Sequence, residues 1–381
     1  MKDFIRKQYQ CRIFFGKGCG ICCSMNCSEA NYYSSLIDTL CSRHSLTEAE
    51  YEYLLDHVSG DTADYAAEQA VAVRRRIYGN EIYIRGLIEI SNYCRNDCFY
   101  CGIRRSNRQC KRYRLQKEQI LACCDEGYLL GFRTFVLQGG EDAFFTDEVL
   151  CDIVRSVKRR YPDCAITLSL GEKSRESYAA LFQAGADRYL LRHETADSLH
   201  YGKLHPKELS LQRRLQCLHD LREIGYQVGC GFMVGSPYQT NQTIAKDLKL
   251  IETFSPDMCG IGPFIPHHAT PFAGFPAGTL AMTTFLLSLV RLISPNILLP
   301  ATTALGTIHP FGREKGILAG ANVVMPNLSP PDVRAQYELY DNKLCTGEES
   351  AQSKKELEER MAAIGYTVVT ARGDIKRNQI I

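Results

Sequence analysis

The sequence predicts an α/β chain folded as a (β/α)8 barrel of TIM type, with helices ahead of the barrel and a short extension behind it. Three observations carry that prediction. From Ile82 onward the chain repeats one plan: a short β-rich apolar run, a loop with Gly, Pro or polar residues, and an amphipathic stretch of helical period. The runs are continuously apolar rather than alternating, as in a parallel sheet covered on its outer face. Eight such units in about 250 residues suit a barrel, with a doubly wound open sheet as the alternative.

Four regions follow in order: a Cys-rich extension over 1–34, helices over 35–80, the barrel over 81–331 and a helical extension over 332–381. Ser45 or Thr47 caps a first helix over EAEYEYLLDHV, and a second runs through ADYAAEQAVAVRRRIYG. The predicted strands are Ile82 to Ile90, Arg133 to Gln138, Ala165 to Leu170, Asp187 to Arg192, Tyr226 to Val234, Met258 to Gly262, Ile297 to Thr302 and Asn322 to Pro326. Helices are expected at Lys117 to Glu126, Asp147 to Arg160, Ser174 to Ala184, Leu209 to Gly225 and Ile244 to Phe254. Leu280 to Pro300 is very apolar, but Arg291 and Pro295 interrupt it, so it reads as a buried barrel helix and not a membrane span. Beyond Pro331 come a helix over Ser350 to Ile364, a short TVVT run and a basic tail.

Composition narrows the class. With 45% hydrophobic and 23% charged residues, the chain of 381 residues has the make-up of a globular protein rather than a disordered one. Forty-five basic against 43 acidic side chains leave +2, too little for nucleic-acid binding through a global field. No apolar run before a small-residue cleavage site marks the first residues, so a cytoplasmic location is expected. There the 18 cysteines serve as thiols or metal ligands rather than disulfides.

Barrels of this kind place their chemistry on the loops after the strands, and here those loops hold the unusual residues. Directly after the first strand, Cys94, Cys98 and Cys101 form C-x3-C-x2-C, tight enough to aim three thiolates at one object. A cubane iron-sulfur cluster has four irons, so three cysteines leave one iron open to a small molecule. A structural zinc site wants a fourth Cys or His at ribbon spacing, which Cys110 does not supply, and buried thiols without a metal are the bland reading.

The segment CRNDCFYC, with Tyr100 just before the third cysteine, resembles the signature of radical S-adenosylmethionine (SAM) enzymes. QGGED, TLSLGE, ADRYLLRHETA, GIGPFIPH, PATTALGTI, GREKG and GANVVMPN, in that order, resemble the HydE family of [FeFe]-hydrogenase maturases over about Tyr83 to Cys345. That resemblance implies one [4Fe-4S] cluster per chain, SAM chelated to its open iron, and reductive cleavage of SAM to a 5′-deoxyadenosyl radical, chemistry that oxygen would destroy. It implies that Gly139, Gly140 and Glu141 receive the methionine amino group, the glycines giving close backbone approach and the carboxylate taking the ammonium. Arg192 would meet the SAM carboxylate and Glu172 the ribose, with an internal Glu172 to Arg192 pair as the alternative. Met233 and Val234 would offer backbone to adenine.

Arg85, Thr302 and Thr303 are expected to line an anion-like substrate site inside the barrel, and Tyr337 and Tyr340 match tyrosines that close the family's cavity. The implied partners are a small thiol-bearing iron complex as substrate, an electron donor such as ferredoxin or flavodoxin, and other hydrogenase maturases, with no membrane. Methylornithine synthase and biotin synthase share the superfamily motif; the latter would need a second cluster on strand-end cysteines such as Cys230 and Cys259. An RNA-modifying enzyme would use the basic stretch Arg104 to Arg114. Cys345 stands alone where the family often has three cysteines, so no accessory cluster is expected. His267 and His268 read as loop structure, and Cys19 to Cys27 as mobile cysteines, a misassigned start or a metal-binding extension.

Overall fold

Closure of the strand ring is what sets the site in place. The computed structural model describes residues 27–344 and 351–377. Three helices lead in: α1 (Cys27–Arg43), α2 (Glu48–Asp56) and α3 (Gly60–Tyr78). Thr47 caps α2 in a capping box with Glu50, as its spacing predicts, and Ser59 with Thr62 does the same for α3. Helix α1 crosses the expected boundary between residues 34 and 35, so the helical layer begins earlier than the composition indicates.

Strands β1 (Glu81–Ile84) and β2 (Gly86–Ser91) open the barrel, followed by β3 (Thr134–Gly139), β4 (Ala165–Ser169), β5 (Arg188–Leu190) and β6 (Gln227–Cys230). Then come β7 (Met233–Val234), β8 (Met258–Cys259), β9 (Gly262–Pro263) and β10 (Val323–Val324). A parallel sheet runs β2, β3, β4, β5, β6, β8. Parallel bridges Met258 to Leu298, Pro300 to Val323 and Leu87 to Asn327 carry the ladder through the seventh and eighth predicted strands and back to β2. All eight predicted strands take part.

Outside the ring lie α4 (Lys117–Leu129), α5 (Asp147–Arg160), α6 (Arg175–Gln183), α7 (Ser198–Leu204), α8 (Leu211–Ile224), α9 (Asn241–Phe254) and α10 (Leu280–Ile293). Helix α2 packs on α9 and α3 on α10. The apolar α10 carries Arg291 fully buried, its guanidinium donating to the carbonyls of Gly320 and Pro295 and to Asn322 Oδ1. Among the described residues no helix is long and apolar enough to cross a membrane.

Alternation along the strands divides two environments. Ile84, Ile88 and Ile90 point into the helix-covered core. Arg85, Leu87 and Glu89, on the opposite face, line the barrel interior, and the Arg85 guanidinium reaches Met258 Sδ there at 3.0 Å. Cys259, next to Met258, therefore faces the helices, as does its register partner Cys230, whose charged neighbours are Asp247 and Arg222. These thiols do not face the cavity, which removes the biotin synthase-like second cluster.

After short helices α11 (Thr303–Ile308), α12 (Gly312–Leu318) and α13 (Pro331–Arg334), residues 335–344 cross the cysteine-bearing end of the barrel. A 3-10 turn (Ala351–Ser353) and α14 (Lys354–Ala363) lead to β11 (Thr367–Val369), which pairs parallel with β1 on the side away from β10. So the TVVT run is a strand. Asp374 beyond it reaches the fully buried Arg188 at 2.5 Å and plugs the N-terminal end of the barrel. Cys345 and residues 19–26 lie outside the described residues.

Candidate active site

The cysteine loop leaves β2 at Ser91 and is bound on every side. Arg95 N donates to Glu141 O at 2.9 Å and Phe99 N to Leu204 O at 3.0 Å. Asp97 accepts from Arg104 Nε at 2.8 Å and from Ser106 N and Oγ at 3.0 and 2.8 Å. Arg112 donates to the carbonyls of Asn92, Ile103, Arg104 and Asn107. Gly102 N meets Leu339 O at 2.8 Å, and a Cβ there would stand 2.2 Å from Glu338 O, so only glycine permits the strap over 335–344 to lie on the loop.

Cys94, Cys98 and Cys101 are free thiols. Burial pushes the Cys98 thiol up to about 12, and the neighbouring Cys94 adds to it. Cys101 is raised further by burial and by both partners. Three thiols that oppose one another's ionisation suit a cationic metal group. Their mutual charge coupling places the three thiols close together, as ligands of one metal group must be. Elsewhere among the described residues, ligand atoms of His267, His268 and Asp341 lie within 4.8 Å of one another. Sequence reasoning missed Asp341 as a third donor. Yet His267 Nδ1 accepts Ala269 N–H at 3.0 Å, so its Nε2 carries the proton and is poorly set to bind a metal.

Gly140 is required by approach: a Cβ would lie 2.2 Å from Tyr93 O and 2.8 Å from Cys94 Cβ. The Glu141 carboxylate is also engaged within the protein. It pairs with Arg95 at 2.8 Å and accepts Glu172 N at 2.8 Å, locking the second-strand loop to the third. A cavity of about 510 Å³ opens beside it, lined by Arg95, Glu141, Glu172, Lys173 and Arg213.

Nor do Glu172 and Arg192 pair with each other. Glu172 pairs with Arg214 of α8 at 2.6 Å, while Arg214 also donates to Arg192 O at 2.7 Å. Arg192 stands 3.1 Å from Glu194, out of hydrogen-bond alignment, so its Nε and one terminal nitrogen lack hydrogen bonds, as does Glu194 Oε2. Arg214 and Glu194 are the residues sequence reasoning missed. In the structure Glu194 takes φ 67°, a backbone region unusual for any residue with a Cβ, and Arg214 lies on the buried face of its helix.

Tyr100, Met233, Phe264, Phe272 and Leu204 share a small apolar cluster above the ring. Met233 O accepts from Gln239 Nε2 at 2.8 Å and Val234 O from Phe264 N at 2.8 Å, so part of the expected backbone edge is used internally. Tyr100 Oη lies 3.2 Å from His205 Nε2.

The substrate trio does not converge. Thr302 is at the head of α11 with its buried Oγ1 lacking a partner, and Thr303 begins that helix. Arg85 sits near the opposite end, close to Arg188 and Asp374, with Nε and one terminal nitrogen unpartnered. Tyr337 is buried over the barrel mouth and Tyr340 half-buried beside it. Glu89, another residue that sequence reasoning missed, lies fully buried under Tyr337, pairs with Lys343 at 2.5 Å and accepts from Asn327 at 2.9 Å.

Comparison with known proteins settles the class. The radical SAM superfamily pattern matches residues 88–251. The [FeFe] hydrogenase maturase subunit HydE of Thermotoga maritima is 46% identical over 276 residues, 72% of this chain and 78% of that one. This chain belongs to the HydE family of radical SAM enzymes. The HydE-family chain also resembles 3-methylornithine synthase of Methanosarcina barkeri, 28% identical over 87% of this chain and 93% of that one. Among solved structures, methylornithine synthase superposes with a TM-score of 0.77 at 26% identity, over 88% of this chain and 97% of that one. The maturase HydG superposes at 0.75 with 20% identity, over 97% of this chain and 80% of that one, a likeness of fold alone. Membership of a radical SAM family implies a [4Fe-4S] cluster and SAM.

Proposed function

We propose that this chain acts in assembly of the catalytic diiron subcluster of [FeFe]-hydrogenase, holding one [4Fe-4S] cluster on Cys94, Cys98 and Cys101. The identity of 46% with the Thermotoga maritima maturase carries the reading. When bound, the cluster supplies one electron that splits SAM into methionine and a 5′-deoxyadenosyl radical.

The chain's own residues bind and orient. Arg192, whose Nε and one terminal nitrogen make no hydrogen bond despite the nearby Glu194, offers those donors to the SAM carboxylate. Glu172, fixed by Arg214, faces the ribose. The backbone of Gly139 and Gly140 meets the amino group, with Glu141 bracing the loop from behind. Tyr100 and Met233, with Phe264 and Phe272, form an apolar shelf for adenine. Thr302 and Thr303 receive the substrate, a small thiol-bearing iron complex, under Tyr337 and Tyr340, while Arg85 adds positive charge at the far end of the interior. A ferredoxin or flavodoxin donor, other maturases and a cytoplasmic location complete the proposal.

Methylornithine synthase is the second reading, favoured by the superposition at 26% identity. That chemistry would want an open anion for an amino-acid ammonium, and Glu89 is already committed to Lys343 and Asn327. Complementation decides. In a strain lacking its own HydE, the wild-type gene should restore hydrogen evolution and Cys98→Ser should not. Failure of the wild type, with conversion of lysine to methylornithine in vitro, would transfer the assignment.

A further inference from the structure

The basic stretch after the third cysteine divides into two sets. Arg104 pairs with Asp97, Arg112 is spent on four backbone carbonyls, and Arg114 pairs with Asp142 at 2.7 Å. These three build the cysteine loop. Arg105, Arg108 and Lys111 are exposed, and no ion pair holds any of them among the described residues. The chain carries a net charge of only +2, so three unpaired cations within seven residues form a local feature. Besides Asp97 and Asp142, Glu338 places negative charge near this loop, at Cys110.

The loop is hydrogen-bonded to the cysteine segment. Arg104 N donates to Cys101 O at 3.1 Å and Arg105 N to Asn96 O at 2.9 Å, so one layer of backbone separates the exposed cations from the thiols. Asn92 Nδ2 fixes the Lys111 carbonyl at 2.8 Å, and next to Asn92 the ring of Tyr93 is 37% exposed with Arg114 stacked 3.9 Å over it. Exposed aromatic and arginine groups beside unpaired cations have the make-up of a protein-binding surface.

We infer that Arg105, Arg108 and Lys111 form the docking surface for an acidic one-electron carrier protein, which reduces the cluster from the outer side of the cysteine loop. The inference rests on the radical SAM reading of Cys94, Cys98 and Cys101. In the step it serves, the reduced carrier gives up one electron and the cluster gains it. That electron then breaks one carbon–sulfur bond of SAM, leaving methionine and the deoxyadenosyl radical. Nucleic acid is the weaker occupant, because half of the basic stretch is turned inward.

The test uses the cluster-loaded chain, measuring 5′-deoxyadenosine formed from SAM with either dithionite or reduced flavodoxin as reductant. In the triple variant Arg105→Glu, Arg108→Glu, Lys111→Glu, flavodoxin-driven cleavage should fall about tenfold at low salt, the lower end of electrostatic steering. Dithionite-driven cleavage and iron content should stay within about twofold of wild type. Raising salt should slow the wild-type flavodoxin reaction but should not slow that of the charge-reversed triple variant. Equal flavodoxin rates in the two proteins would overturn the assignment, as would single-stranded RNA binding that the variant loses while keeping its flavodoxin rate. Wild type that yields no deoxyadenosine even with dithionite would instead refute the radical SAM reading, and the docking surface with it.

Discussion

Lys343→Met tests whether the strap over the barrel mouth is held by charge. Glu89 has no exposed side-chain surface and Lys343 only 6%, so water does little to screen a contact of 2.5 Å. At an effective dielectric near 20, two charges about 4 Å apart attract by about 4 kcal/mol. Removing one partner of a buried pair costs about 3–5 kcal/mol, because the other charge stays behind. Methionine would leave the carboxylate with Asn327 as its hydrogen-bond partner. Lys343→Met should therefore destabilise by about 3 kcal/mol, and adding Glu89→Gln should return at least about half of that. The chain has no Trp, so unfolding in urea is followed by circular dichroism, with amide exchange over 337–343 reporting whether the strap opens locally. A loss under about 1 kcal/mol with unchanged exchange would refute a charge-held strap.

Gly102→Ala should lower iron retention after reconstitution, because the new methyl would stand 2.3 Å from His267 Cδ2 and 2.2 Å from Glu338 O; full iron content would show that the strap does not brace the loop. Burial pulls His205 down to about 3, below the unfolded value near 6.5, so the folded state binds fewer protons than the unfolded one between those values. Stability should then fall by about 1.4 kcal/mol per pH unit below about 6.5 through this group, and His205→Gln should flatten that slope in urea midpoints at pH 7, 6 and 5. Thr302→Val with Thr303→Val should leave dithionite-driven SAM cleavage intact while hydrogenase maturation in the complemented strain falls, at about 1–3 kcal/mol per donor lost. Equal maturation would move the substrate away from α11.

The barrel was legible because its evidence is periodic. Runs such as TFVLQG and AITLS announce buried parallel strands, and Thr47 and Ser174 mark helix starts that the structure keeps. The cysteine loop was legible because three thiols sit within eight residues. Partner choice was not legible, since it depends on elements far apart in the chain. Glu172 meets Arg214 rather than Arg192, and Glu141 turns to Arg95. A single acid in an apolar strand, as at Glu89, looks like any strand residue until Lys343 is found above it. Arg85 reaches Met258 inside the barrel, but strand alternation does not say how deep along the barrel a side chain lies. TVVT has too few residues to announce a strand without its neighbour.

Strand β1 has both of its neighbours much later in the chain, with Val323 and Val324 on one side and Thr367 to Val369 on the other. During synthesis β1 emerges first and waits. The segment around Asp374 that covers Arg188 comes later still, so the buried guanidinium stays uncovered until nearly all of the chain has left the ribosome. Final closure of this barrel is thus a late event, governed by contacts of very long sequence separation, and such contacts slow folding. The cysteine loop, flanked by the early strands β2 and β3, can form while the ring is still open. That order leaves the three thiols uncovered until the strap of residues 335–344 has been made.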